Sequence, residues 1–216
     1  MTASRSVLVP PERLVRWFAT FADRHGVPAY DVVSGRLQAS APDGTSATAA
    51  LPFGRDHAGS ASPVAFRAAA EAPDRWGVLL VRRGGFAVAS VTGDRVVAAK
   101  VGRRHVQGRT KAGGQSQQRF ARRRDNQARQ AYEAAAGHAA GILGGPLDAL
   151  VCGGDRPGVE RVLDDPRLRH LAAVRVGPWL AVPDPRRAVL DQAVRDGRSV
   201  AVVLSDPVDE QGRRVR

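Results

Sequence analysis

Three compact apolar runs, Val78–Val81, Phe86–Val91 and Arg95–Val101, follow one another with Gly84 and Gly93-Asp94 between them. Runs this short, bounded by turn residues, read as strands, and turns this tight join antiparallel neighbours, so the spacing predicts a three-stranded meander. After it the pattern changes. An alanine- and arginine-rich stretch over 116–143 reads as one long helix, stopped by Gly144-Gly145-Pro146, because proline cannot continue a helix and glycine favours its C-terminal cap. The remaining chain alternates: Leu147–Cys152 a buried strand, Pro157–Leu163 a helix, Leu171–Val176 a strand, Pro185–Arg195 a helix and Val200–Leu204 a strand. Strands separated by helical crossovers pair in parallel.

The N-terminal third adds a helix over Pro11–His25, where Leu14, Val15, Trp17, Phe18 and Phe21 fall at helical spacing and Gly26 ends the run. Two short strands, Leu37–Ala41 and Thr45–Leu51, flank the turn Pro42-Asp43-Gly44, followed by a loop over 52–63 and a short helix over Val64–Glu71. The whole order describes a mixed α/β (α+β) fold whose sheet is of ribonuclease-H-like type. Residues 1–75 are expected to form a helix and hairpin region integral to the fold, 76–205 the core, and 206–216 a polar tail. At 216 residues, 43% hydrophobic and 25% charged, the composition is that of an ordinary globular chain.

Charge narrows the partners. The formal net charge is +12, from 33 basic and 21 acidic residues. Between Lys100 and Gln130 stand ten basic residues against the single acid Asp125, so this segment alone holds +9. Charge gathered this way points to nucleic acid or an anionic membrane. The helix that carries it has an alanine-rich apolar side, whereas interfacial helices favour Trp, Phe and Leu there, and no apolar run approaches the ~20 residues that span a bilayer. No secretory leader is legible at the N-terminus, and Cys152 is the only cysteine, which fits a reducing cytosol and a cytoplasmic location.

Within the basic segment lies Lys111-Ala112-Gly113-Gly114-Gln115-Ser116, running into Gln117-Gln118-Arg119-Phe120-Ala121-Arg122-Arg123-Arg124. Two glycines allow close backbone approach to a partner, the glutamine is neutral with donors and an acceptor, and the arginines suit phosphates. GGQS followed by RFARxR resembles the Gly-Gly-Gln loop of the eukaryotic and archaeal peptide-chain release factors. The convincing likeness covers roughly residues 109–143. The chain has no Asn-Ile-Lys-Ser decoding motif and is short for three domains, so it is more similar to the stand-alone Vms-like release factors, which resemble the catalytic domain and act in ribosome rescue.

That resemblance implies a release-factor catalytic domain with a projecting GGQ loop before a long helix. It implies Gly113, Gly114 and Gln115 as catalytic residues that promote peptidyl-tRNA hydrolysis in the peptidyl-transferase centre. Arg104, Arg109, Lys111, Ser116, Arg119, Arg122, Arg123 and Arg124 would contact RNA. The implied partners are the large ribosomal subunit and the peptidyl-tRNA acceptor end, met by a monomer with no cofactor and no metal. Eukaryotic Vms-like members usually carry a residue between the glycines and the glutamine. That register would let Gln117 or Gln118 compete with Gln115, whereas both flanks here fit the uninterrupted GGQ.

Other readings stay open beside this one. Gly113-Gly114 alone would be a flexible hinge, and the arginines a solvated helix face. Phe120 reads as a packing anchor and Cys152 as a small core residue. The five histidines form no metal-binding spacing, and only His105 lies where RNA contact is conceivable. Gly153-Gly154-Asp155 lacks the phosphate-loop patterns and reads as a turn with Asp155 as N-cap. Two rival functions follow: a non-catalytic rRNA-binding assembly or stress factor, and a ribonuclease-H-like nuclease, which would need clustered carboxylates.

Overall fold

The structure, a computed structural model, describes residues 3–82, 85–103 and 115–207, with the backbone alone for residue 3 and for 115–128. The chain divides into two compact units, Met1–Ala72 with Arg195–Arg216, and Pro73–Val194.

The first unit is built on strands β1 (Ala3–Val9), β2 (Ala29–Val33), β3 (Arg36–Ser40), β4 (Ser46–Ala50) and β10 (Val200–Asp206), with helices α1 (Pro11–His25) and α2 (Pro63–Ala69). The sheet order is β1-β10-β4-β3-β2, antiparallel throughout. Alternation decides its two faces. Leu37 and Ala39 of β3, and Ala47 and Ala49 of β4, are fully buried between more exposed neighbours, as a half-covered antiparallel sheet requires. Leu14, Phe18 and Phe21 of α1 and Phe66 of α2 join them in one core with Val9, Val200 and Val202. The α2 N-terminus is capped by Ser62, whose Oγ accepts from the Ala65 N–H at 3.2 Å.

In the second unit, β5 (Trp76–Arg82), β6 (Gly85–Thr92) and β7 (Arg95–Arg103) form the expected meander. Helix α3 (Gln115–Leu143) follows, then β8 (Ala149–Gly154), α4 (Arg156–Leu163), β9 (Arg175–Leu180) and α5 (Arg187–Gly197). The sheet order is β7-β6-β5-β8-β9, with β8 parallel to both β5 and β9. Three antiparallel strands extended by two parallel ones across helical crossovers is the ribonuclease-H-like arrangement. β5 and β8 are buried along nearly their whole length, the signature of central strands with both faces covered. Asp148 fixes their relative start: its N–H donates to the Arg75 carbonyl at 2.8 Å and its Oδ2 accepts from the Arg75 N–H at 3.0 Å.

Three expectations are corrected. The segment 171–176 does not open a strand: Arg169–Val174 is a 3₁₀ helix and β9 begins at Arg175. Leu168 and Leu171 are buried three residues apart, the repeat of a 3₁₀ turn, and four apolar residues in a row cannot distinguish this from a strand. The final strand, expected to extend the alternating series, instead sits in the first unit between β1 and β4, matched to β1 over seven residue pairs. Its apolar pattern states that it is buried and leaves its partner open. Strands β1 and β2 were not expected. Both are edge strands with mostly exposed residues, so neither carries a buried stripe for the sequence to display.

Candidate functional site

The long helix sets the geometry around the GGQ segment. Its second half is fixed to the second unit's sheet by three alanines and a leucine: Ala135, Ala136, Ala139 and Leu143 are buried in one core with Leu79, Val81, Phe86 and Val88. Alanines let a helix axis lie close to a sheet while burying apolar surface. The described core contacts of α3 begin at Tyr132. At 1.5 Å rise per residue, the helix start at Gln115 lies roughly 25 Å along the axis from that point.

Gln115 is the first residue of α3, which accords with the expectation that it stands at or just before a helix N-terminus. The first four N–H groups of any helix lack intrahelical acceptors and carry partial positive charge. Ser116, Arg119, Arg122, Arg123 and Arg124 fall in the first three turns of the same helical backbone. Gly113, Gly114, Arg104, Arg109 and Lys111, together with His105, lie outside the described residues. So do the side chains of Gln115 through Arg124, including Gln117, Gln118 and Phe120.

The two roots of the segment 104–114 are described. One is β7, the edge strand of its sheet, ending at Arg103 opposite Gly85. At this rung Phe86 faces Gly102, and a Cβ at Gly102 would collide with the Phe86 ring. A Cβ at Gly85 would collide with the Gly102 carbonyl oxygen. Glycine at both positions is therefore what lets β6 and β7 stay paired at the open end of their hairpin with the ring lying across it. The other root is α3, which a ring contact joins to β6, the strand paired with β7: Phe86 stacks on His138 at 5.5 Å between centroids, 25° from parallel. Beside this contact a cavity of about 230 Å³ opens between Arg82, Gly85 and Arg103 on the strands and Ala131, Tyr132 and Ala135 on the helix. Arg82 approaches Asp184 at 4.0 Å. Sequence reading passed over Phe86, Gly102 and His138 because a glycine near a strand end and a histidine in a helix are common. Only their juxtaposition gives them a role.

Other candidates resolve into structure. Cys152 is 1% exposed, and burial pushes its thiol up to about 12, so it is an inert core residue. Gly153 and Gly154 end β8, where Cβ atoms would strike the Leu180 and Val81 carbonyl oxygens respectively, and Gly154 has φ +88°. Their task is close strand packing. Asp155 occupies the N-cap position of α4, although its side chain makes no capping bond; its N–H donates to the Val81 carbonyl at 2.7 Å. Trp179 donates from Nε1 to the Gly154 carbonyl at 3.2 Å and lies under the Arg156 guanidinium at 4.3 Å. Among the described residues, no group of three or more His, Cys, Asp or Glu is placed to hold a metal ion, and no helix is long and apolar enough to cross a membrane.

A ribonuclease-H-like sheet whose edge strand precedes, in sequence, the GGQ segment and a long helix defines the class: a mixed α/β protein. Residues 74–203 match the family described as the Actinobacteria/chloroflexi VLRF1 release factor. The chain belongs to that family. Among solved structures it is similar to an archaeal translation termination factor, aRF1, with TM-score 0.39 and 13% identity over 90% of this chain and 64% of that one. It is also similar to a second archaeal protein, with TM-score 0.36 and 14% identity over 88% of this chain and 63% of that one. The chain thus spans just under two thirds of the length of each. No curated protein matches it.

Proposed function

We propose that this chain is a stop-codon-independent peptidyl-tRNA hydrolase that frees nascent chains from stalled large ribosomal subunits, working as a cytoplasmic monomer. The observation that carries the reading is the sequence Gly113-Gly114-Gln115-Ser116, whose Gln115 opens α3, in a member of a release-factor family. Hydrolysis of the peptidyl ester passes through a tetrahedral oxyanion, and one well-placed donor contributes about 3 kcal/mol to such a reaction. In this reading the Gln115 backbone N–H, at the positive end of the helix, stabilises the developing charge while its side chain orders the attacking water. Gly113 and Gly114 let the backbone enter among rRNA bases. Arg104, Arg109, Lys111, Ser116, Arg119, Arg122, Arg123 and Arg124 hold the segment to phosphates. The ribosome and the terminal ribose of the tRNA supply the remaining groups, so no acid–base pair on this chain is called on.

Substitution separates the backbone from the side chain. Gly113→Val or Gly114→Val abolishes release, whereas Gln115→Ala retains part of it because the N–H remains. Unchanged release by the valine variants would overturn the mechanism. A non-catalytic rRNA-binding factor rests on the same charge and makes the opposite prediction: salt-sensitive binding to the subunit with no release by any form of the chain.

A further inference from the structure

The first unit carries a concave surface that the hydrolytic reading leaves unused. A groove of about 690 Å³ runs between α1 and the edge strand β1, floored by Val7 and Leu204. Arg13, Arg16 and Arg24 line its helix side and Arg5 its strand side. Residues 3–72 contain seven arginines and no lysine, so four of their seven basic residues face this one groove. No carboxylate lines it. None of the four arginines forms an ion pair among the described residues. Of the nearby acids, Glu12 meets Arg198 at 3.4 Å, away from the four arginines, and Asp43 meets His25, itself a lining residue, at 2.8 Å. Asp23 is not among the lining residues. Like charges gathered without counter-charges repel one another, and an anion in the groove relieves that repulsion.

An aromatic surface lies between the cations. Trp17 is half-buried in the groove wall, stacked on Phe21 with centroids 5.9 Å apart and planes 12° from parallel, and edge-on to Phe18 at 5.0 Å. The indole is therefore held in one orientation before any ligand arrives. From Arg13 to Arg24 the helix rises roughly 16 Å, the length of a few nucleotides, with Arg5 on the opposite wall. Guanidinium groups along both sides of a trough and a fixed ring inside it match the way single strands are held: phosphates tracked by charge, bases stacked on a π-face.

We infer that the groove between α1 and β1 binds single-stranded RNA. The choice of RNA over DNA rests on the ribosomal reading above; the cationic and aromatic lining does not. The lining shares no residue with the basic segment 100–130, so the chain would grip RNA through two sets of residues.

The test uses the full chain with Arg119, Arg122, Arg123 and Arg124 replaced by glutamine, which takes away four of the ten basic residues of the competing segment. Anisotropy of a fluorescein-labelled ten-nucleotide single-stranded RNA is read from 50 to 200 mM salt. This background still binds. Adding Arg13→Gln and Arg24→Gln, both exposed and so compatible with folding, weakens binding at least fivefold and lowers the salt slope by about 1.4. Adding Arg36→Gln and Arg67→Gln, two exposed arginines of the same unit outside the groove, changes affinity less than twofold. Cross-links from a 4-thiouridine-substituted oligonucleotide fall on α1 at Trp17 or Phe21. Equal losses from the two pairs, no binding by the background, or cross-links elsewhere would overturn the inference. So would tenfold tighter binding of the matching DNA, or loss of binding to anionic phospholipid vesicles by the groove pair with RNA affinity unchanged. Failure of the hydrolytic reading is distinct, since it is read from release by the unsubstituted chain.

Discussion

Phe86 and Gly102 should be energetically coupled, and the size of the coupling follows from their geometry. Phe86 is 8% exposed, stacks on His138 and borders a cavity. Phe86→Ala therefore costs near the lower end of the usual range for a buried phenylalanine, about 3 kcal/mol. Gly102→Ala places a methyl where the ring lies, and forcing a packed ring aside costs about 2 kcal/mol. Gly102 does not have a positive φ, so alanine fits its backbone. With the ring removed, the three atoms nearest that methyl are gone, and alanine is favoured over glycine in a strand by roughly 0.5–1 kcal/mol. The double variant is then no less stable than Phe86→Ala alone, and the coupling amounts to about 2–3 kcal/mol. Urea unfolding followed by tryptophan fluorescence reads it, because Trp76 and Trp179 both belong to the second unit. Additivity within about 0.5 kcal/mol would refute the claim that the ring lies across Gly102.

Two further outcomes concern titration. The Cys152 thiol, pushed up to about 12 by burial, carries roughly 1,000-fold less thiolate at pH 8 than a thiol of pKa about 9. Iodoacetamide labelling of the folded chain at pH 8 should therefore be slower than that of urea-unfolded chain by roughly two to three orders of magnitude; comparable rates would contradict the burial. Asp43 is held below its ordinary value by its hydrogen bonds, first from His25 and then from the Thr45 N–H. A depressed carboxylate contributes stability that is present above its unfolded value near 4 and lost as pH falls through its lower folded value. Asp43→Asn should therefore flatten the acid limb of the first unit's melting temperature between pH 5 and 3. The effect is small because the pair is exposed, and an unaltered limb would remove the pair from the account.

How much was legible in the sequence depended on burial. The α1 stripe, the β5–β6–β7 meander and the crossover to β8 announce themselves because each has residues buried at the period of its own geometry, as Leu14, Phe18 and Phe21 do on α1. The Gly144-Gly145-Pro146 stop gave the end of α3 for the same local reason: a Cβ at Gly144 would strike the Ala140 carbonyl oxygen. Edge strands β1 and β2 have no such stripe, and the partner of β10 is a long-range fact that no local pattern records. The GGQ segment stands out in the sequence because glycine, glutamine and arginine at fixed spacing carry chemistry without needing a core. The Phe86–His138 contact joins residues 52 positions apart, and the four groove arginines come from two elements that only folding brings together.

The central claim is that a GGQ segment at the start of α3 releases nascent chains without a stop codon. Its most direct test is to mix purified chain with large ribosomal subunits carrying labelled peptidyl-tRNA and no stop codon, comparing the natural sequence with Gly114→Val. The account predicts rapid peptide release by the natural sequence and none above background by the variant. Salt-dependent subunit binding without release by either form would contradict it.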